Sequence, residues 1–251
     1  MAEGDYLLDV NGVALAPPTD IYSRFEGAAG KMTTIRVNSA PTMKGSHLVT
    51  VVPLGDDEGL RTQTWIDDNR KLVDKLSGGK LAYVGLPNTS GAGYTAFNRE
   101  YFAQQAKQGL ILDERYNQGG AVADYILDLL NRPIGGYFAE RAGKTITEPM
   151  AGIFGPTVMV INESAGSGGD ALPYLFHHYK LGTLVGTRTW GGLVGTLGVP
   201  NPRDNGASTA PDLEVYALNG KWAVDTVGVP PDIVLEHRPP PRVRWDAPPP
   251  T

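Results

Sequence analysis

An α/β fold, with helices packed on a largely parallel sheet, is the class this sequence predicts, and two observations carry the prediction. Strand-like and helix-like segments alternate through residues 80–187 at the spacing of βα units. At their centre the run Thr157–Ile161 is short, apolar and rich in β-branched residues, as suits a strand covered on both faces. Within about ten residues a glycine-dense turn then passes into an amphipathic helix. Leu172, Leu175, Phe176 and Tyr179 fall there at i, i+3, i+4 and i+7 and form one stripe.

Taken in order, residues 6–10 read as a strand, Asn11-Gly12 as a tight turn, 21–26 as a short helix, and 33–37 and 47–52 as two more strands. Four elements in about fifty residues give a thin core. Residues 60–76 read as a helix with Trp65, Ile66, Asn69, Leu72, Val73 and Leu76 along one side, ended by Ser77-Gly78-Gly79. The alternation continues as a strand at 80–86, a helix at 94–108, a strand at 109–114 and a helix at 121–130. A long looped passage to Gly155 precedes the central strand and helix, and a strand follows at 184–187. No internal repeat interrupts the series.

With 251 residues, 41% hydrophobic and 20% charged, the composition is that of a soluble globular chain holding one large core, or one core and a small module. A net charge of −5 gives no electrostatic case for nucleic acid. No apolar run approaches the ~20 residues that span a bilayer, and the amino terminus lacks a basic-then-apolar signal, so no membrane partner is expected. With no cysteine, disulfides and thiolate metal sites are excluded, and the default compartment is the cytoplasm. The segment Arg188-Thr189-Trp190-Gly191-Gly192 lacks the lysine of a phosphate loop, and neither cofactor nor metal is expected.

Chemistry concentrates at Ser167. Gly166, Gly168 and Gly169 allow positive φ and close backbone approach around it, at a strand's carboxyl end and a helix's amino end, where unpaired N–H groups can receive an oxyanion. Ser167 and Asp170 also fit a capping box, so the serine could be a cap alone. Pro173 favours Asp170 as the cap, because the proline then lies in the first turn and leaves the Ser167 hydroxyl unused. Ala165 breaks the G-x-S-x-G pattern of a nucleophile elbow. A second glycine pair, Gly119-Gly120, follows the strand GLILDE. It reads either as a tight βα turn or as an oxyanion donor paired with Gly168.

The segments GLILDERYNQGG, INESAGSGGDALPYLF, LGTLVGTRTWGGLVG and VGVPPDI, in this order, resemble the catalytic domain of the tricorn protease family over most of residues 60–236. GDYLLDVNGVAL with the strands MTTIRVN and HLVTVVPL resembles the carboxyl-terminal half of a PDZ domain. The resemblance implies a partial PDZ-like module at 1–54, a ClpP/crotonase-like serine peptidase domain at 55–236 and a Pro-rich tail at 237–251. It further implies a short-peptide substrate and a homo-oligomer, since relatives form hexamers. By position, Ser167 matches the nucleophile, Gly168 and Gly120 the oxyanion donors, and Asp225 a glutamate that orients the catalytic histidine through a serine. Tyr137 and Phe138 stand where the archaeal enzyme has an acidic specificity residue, which implies an apolar or aromatic pocket.

Departures from the family are also legible. Gln118 replaces a glycine of N-G-G-G, Gly85 stands where relatives often have histidine, and Asp225 is one methylene shorter than glutamate. The carboxy-terminal processing branch uses a lysine base about 25 residues after the serine, where this chain has Gly192. Tricorn-like proteins carry the histidine base before the PDZ domain, and the expectation here is a fragment without it. His177 and His178 lie about ten residues along the helix from Ser167, roughly 15 Å. His47 and His237 have no motif behind them. A catalytically inactive peptide-binding module is the alternative, and a crotonase-like hold on a thioester enolate is a third reading.

Overall fold

The computed structural model describes residues 1–196, 206 and 209–236. His237 and the Pro-rich tail lie outside the described residues. The chain divides into two compact units, Met1–Thr64 and Trp65–Thr251.

In the first unit, β1 (Tyr6–Val10) turns through Asn11 and Gly12, at φ of 51° and 79°, into β2 (Val13–Ala14). Two consecutive left-handed residues are what a two-residue hairpin demands. With β3 (Thr33–Asn38) and β4 (His47–Val51) these form an antiparallel sheet of order β2-β1-β3-β4. Val10, Ile35 and Val37 make its small core, and Arg36 pairs with buried Asp9 at 2.7 Å. The residues read as a short helix form a 3-10 turn, Ile21–Phe25.

The helix α1 (Glu58–Ser77) runs across the division at Thr64, and the second unit then follows the predicted alternation: β5 (Leu81–Gly85), α2 (Gly91–Ala103), β6 (Gly109–Asp113), α3 (Ala123–Leu130), β7 (Gly136–Ala139), β8 (Thr145–Glu148), β9 (Thr157–Ile161), α4 (Gly168–His178), β10 (Gly182–Gly186), β11 (Val194–Gly195), β12 (Leu213–Glu214) and β13 (Ile233–Val234). Its main sheet has the order β13-β10-β9-β6-β5, and every pairing in it is parallel. β9 is central, with Met159 and Ile161 wholly buried beside Leu110 and Leu112 of β6 and Leu184 of β10. Phe97 and Tyr101 of α2, Ile126 of α3, and Leu172 and Phe176 of α4 cover the sheet from their apolar stripes. Because the strands are parallel, the loops after β5, β6, β9 and β10 gather at one edge, the usual place for a site in such sheets.

Two expectations are corrected, in the passage before β9 and in α2, and one helix proves more exposed than its stripe suggests. The passage read as one long loop contains the antiparallel hairpin β7–β8, paired from Gly136–Glu148 to Ala139–Thr145. α2 begins at Gly91 and stops at Ala103, because Gln104 leaves helical geometry. Its side-chain amide instead donates to the Tyr83 carbonyl (2.9 Å) and accepts the Tyr83 N–H (3.2 Å), closing the outer edge of β5. On α1 only Ile66 is buried, while Leu72 and Leu76 are 51% and 76% exposed. Among the described residues no helix is long and apolar enough to cross a membrane.

Candidate active site at the Ser167 turn

The turn after β9 is fastened to the turn after β6. The Gly166 N–H donates to the Asn117 carbonyl (3.1 Å), and the Tyr116 N–H donates to Asn162 Oδ1 (2.9 Å). Ser167 emerges at φ 58° and ψ −115°, a conformation that costs an L-residue about 1–3 kcal/mol and persists only where its surroundings over-determine it. Here they do. The Ser167 N–H donates to Asp170 Oδ2 (2.9 Å), and its carbonyl accepts the N–H groups of Asp170 (2.9 Å) and Ala171 (3.0 Å). The cap of α4 is therefore Ser167, where the sequence favours Asp170. Pro173 lies inside the helix, beyond its first turn.

Asp170 closes the capping box from the third helical position and does more besides. Its carboxylate is fully buried and also accepts the N–H groups of Gly191 (2.8 Å, Oδ1) and Gly192 (2.9 Å, Oδ2). Three backbone dipoles thus converge on one charge, which joins the Ser167 turn to the loop after β10. Glu114, also buried, lies nearby. Burial pushes its carboxyl well above the usual carboxylate range, the Asn117 amide opposes this from 3.3 Å, and the charges of Asp170 and Asp113 reinforce it. Its Oε1 has no partner among the described residues. Burial therefore disfavours the ionised form of Glu114. Sequence reading passed over it as a strand end, and the only available signal was an acidic residue closing an otherwise apolar strand.

The glycine pairs meet at the serine. Gly119 lies so close that a Cβ on it would be 2.8 Å from Ser167 Cβ and 3.1 Å from Oγ. Its N–H is held by Asn117 Oδ1 at 2.9 Å. The N–H groups of Gly120 and Gly168 have no protein acceptor among the described residues. They are neighbours, since a Cβ on Gly168 would come within 2.8 Å of the Gly120 nitrogen. Buried Thr89 backs the pair: its N–H donates to the Gly119 carbonyl (2.9 Å) and its hydroxyl to the Gly120 carbonyl (3.3 Å). Gly120, at φ 135°, has no room for a Cβ, which would overlap the Thr89 carbonyl. A hydroxyl beside two free amides on a rigid support can present a nucleophile and receive an oxyanion.

Asp225 is half-buried between Val224 and Thr226, both at positive φ. The Thr226 N–H donates to the Gly191 carbonyl at 2.6 Å, so Asp225 is linked through Gly191 and Asp170 to Ser167. Tyr137 and Phe138 project from the β7–β8 hairpin, exposed, opposite Thr147 and Ile146. On α4, His177 pairs with Asp232 at 3.2 Å and the His178 ring stacks on Tyr174. His47 is on β4 of the first unit. Gly192 is closely covered, because a Cβ there would lie 2.5 Å from Trp190 Cζ3. A lysine base at that position would have to displace the indole.

A parallel sheet carries at its carboxyl edge a serine at positive φ and, beside it, two amides without a protein acceptor among the described residues, which makes this an α/β protein with a serine-bearing turn. The chain belongs to peptidase family S41, whose sequence model matches residues 80–235. It is 33% identical over 236 residues to the tricorn protease of Thermoplasma volcanium, covering 94% of this chain and 23% of that protein. To tricorn protease homolog 1 of Streptomyces coelicolor it is again 33% identical over 236 residues, covering 94% and 22%. The crystal structure of the tricorn protease superposes with a TM-score of 0.83 at 30% identity, over 93% of this chain and 23% of that one. The chain thus spans less than a quarter of the length of these relatives.

Proposed function

We propose that this chain carries the nucleophile and oxyanion site of a serine-type peptidase acting on short peptides. Ser167 Oγ attacks the scissile carbonyl carbon, the carbonyl oxygen takes the negative charge between the Gly120 and Gly168 amides, and the leaving amine departs with the proton transferred by a base. Water then attacks the acyl-serine and releases the carboxylic acid. The observation that carries this reading is the strained Ser167 next to Gly168, whose amide neighbours that of Gly120, both without a protein acceptor among the described residues. Each such donor is worth about 10²–10³ in rate. The base is a histidine from outside the Ser167 domain, oriented with the help of Asp225, because His177 and His178 are engaged at the far end of α4. Tyr137 and Phe138 supply apolar contacts to the substrate. The resemblance also supports a PDZ-like character for residues 1–54 and a homo-oligomer, and the cytoplasm stays the default location.

The test is phosphonylation by a small alkyl fluorophosphonate, read by mass spectrometry with and without imidazole as an external base. A single adduct on Ser167, faster with imidazole and lost in Ser167→Ala, is expected. Absence of that adduct even with imidazole would instead support a peptide-binding module without chemistry.

A further inference from the structure

Trp190 is 65% exposed, and its ring lies against Gly166, the residue before Ser167. A free surface indole is ordinarily mobile, but this one is held from both sides. The backbone carrying it is pinned: the Trp190 main-chain N–H donates to the Ala165 carbonyl at 2.9 Å, two residues before Ser167. The preceding Thr189, wholly buried, donates its N–H to the Val229 carbonyl (3.1 Å) and accepts the Val229 N–H on Oγ1 (2.8 Å). The following Gly191 and Gly192 are fixed by Asp170. The ring itself lies on backbone: a Cβ at Gly166 would be 2.5 Å from its Cε3, and one at Gly192 equally close to Cζ3. Glycine at both positions is what lets the indole sit flat against the turn that carries Ser167.

We infer that Trp190 forms a substrate subsite, a rigid aromatic platform for an apolar or aromatic side chain of the bound peptide flanking the scissile bond. This rests on the peptidase reading above. The occupant follows from position, because whatever covers a ring seated on Gly166 lies within one residue of Ser167. The chemistry follows from the surface, since a preorganised indole face gains from apolar and aromatic contact and loses little side-chain entropy on binding. The same indole occupies the volume over Gly192, so platform and nucleophile share one support.

The experiment uses the full chain and two capped pentapeptide amides, Gly-Gly-Phe-Gly-Gly and its all-glycine counterpart, as protectants of Ser167 against the fluorophosphonate. The phenylalanine peptide is expected to protect at about tenfold lower concentration than the glycine peptide. That ratio should collapse toward one in Trp190→Ala and be largely kept in Trp190→Phe. An unchanged ratio in Trp190→Ala overturns the subsite. If Ser167 takes no label at all, the peptidase reading fails, and the subsite is judged by fluorescence alone. The phenylalanine peptide should then still quench or shift emission in wild type, with the change lost in Trp190→Phe. Persistence of the change there, or its absence in wild type, overturns the inference.

Discussion

Replacing Asp170 by asparagine tests how the site is held together. The aspartate accepts three backbone N–H groups, from Ser167, Gly191 and Gly192, at 2.8–2.9 Å in a site closed to water. Asparagine keeps one acceptor oxygen, so it can serve Gly191 alone, or Ser167 with Gly192, while its NH2 faces the donors left over. Each orphaned buried amide costs about 1–3 kcal/mol, and the bonds that remain lose their charge assistance. The sum is about 2–5 kcal/mol, enough to make local opening at least about 30-fold easier. Amide hydrogen exchange read on peptides covering residues 163–172 and 189–194 measures this directly. Protection should fall together in both peptides, and Ser167 should lose its left-handed geometry and its reactivity toward the fluorophosphonate. Unchanged protection in Asp170→Asn, or loss in one peptide only, would refute the idea that one carboxylate ties the two loops.

Glu114 predicts a pH dependence. Its folded pKa lies well above the 4.5 of the exposed group, so its contribution to stability is complete below that value and is lost as pH rises toward the folded one, at up to about 1.4 kcal/mol per pH unit. Glu114→Gln should remove this loss, so that the variant's melting temperature gains on wild type from pH 5 to pH 8; a constant difference would contradict a buried neutral acid. In Gly168→Ala the new methyl meets Thr89 Oγ1 and the Gly120 carbonyl, which should destabilise by about 1–3 kcal/mol in denaturant titration and abolish Ser167 labelling. His177→Ala should leave imidazole-assisted labelling within twofold of wild type, because its partner is Asp232; a tenfold loss would make His177 a base.

The Ser167 turn was legible because its signal is local. A β-branched run, a cluster of glycines and an i, i+3, i+4 stripe lie within about 25 residues and report on one βα unit. From its residues alone Gly120 was legible only as one of a pair, the resemblance singled it out, and the structure adds that the Gly119 amide is already held by Asn117. Asp170 looked like a helix cap because two of its three donors lie 21 and 22 residues away. Sequence spacing does not reveal such a link. The α1 helix was legible from its periodicity, but the exposure of Leu72 and Leu76 was not, because periodicity states which residues share a face and not whether anything covers it. The β7–β8 hairpin hid in a stretch rich in glycine and charge, where cross-strand pairing outweighs weak local preference.

The indole over Gly192 bears on how such a site could change over evolutionary time. A lysine at 192 alone would enter space already filled, and removal of the Trp190 ring alone would bare two glycines and leave the serine no nearer to an amine. The two positions therefore share one volume, so that a side chain at 192 and the ring at 190 are exchanged together or not at all.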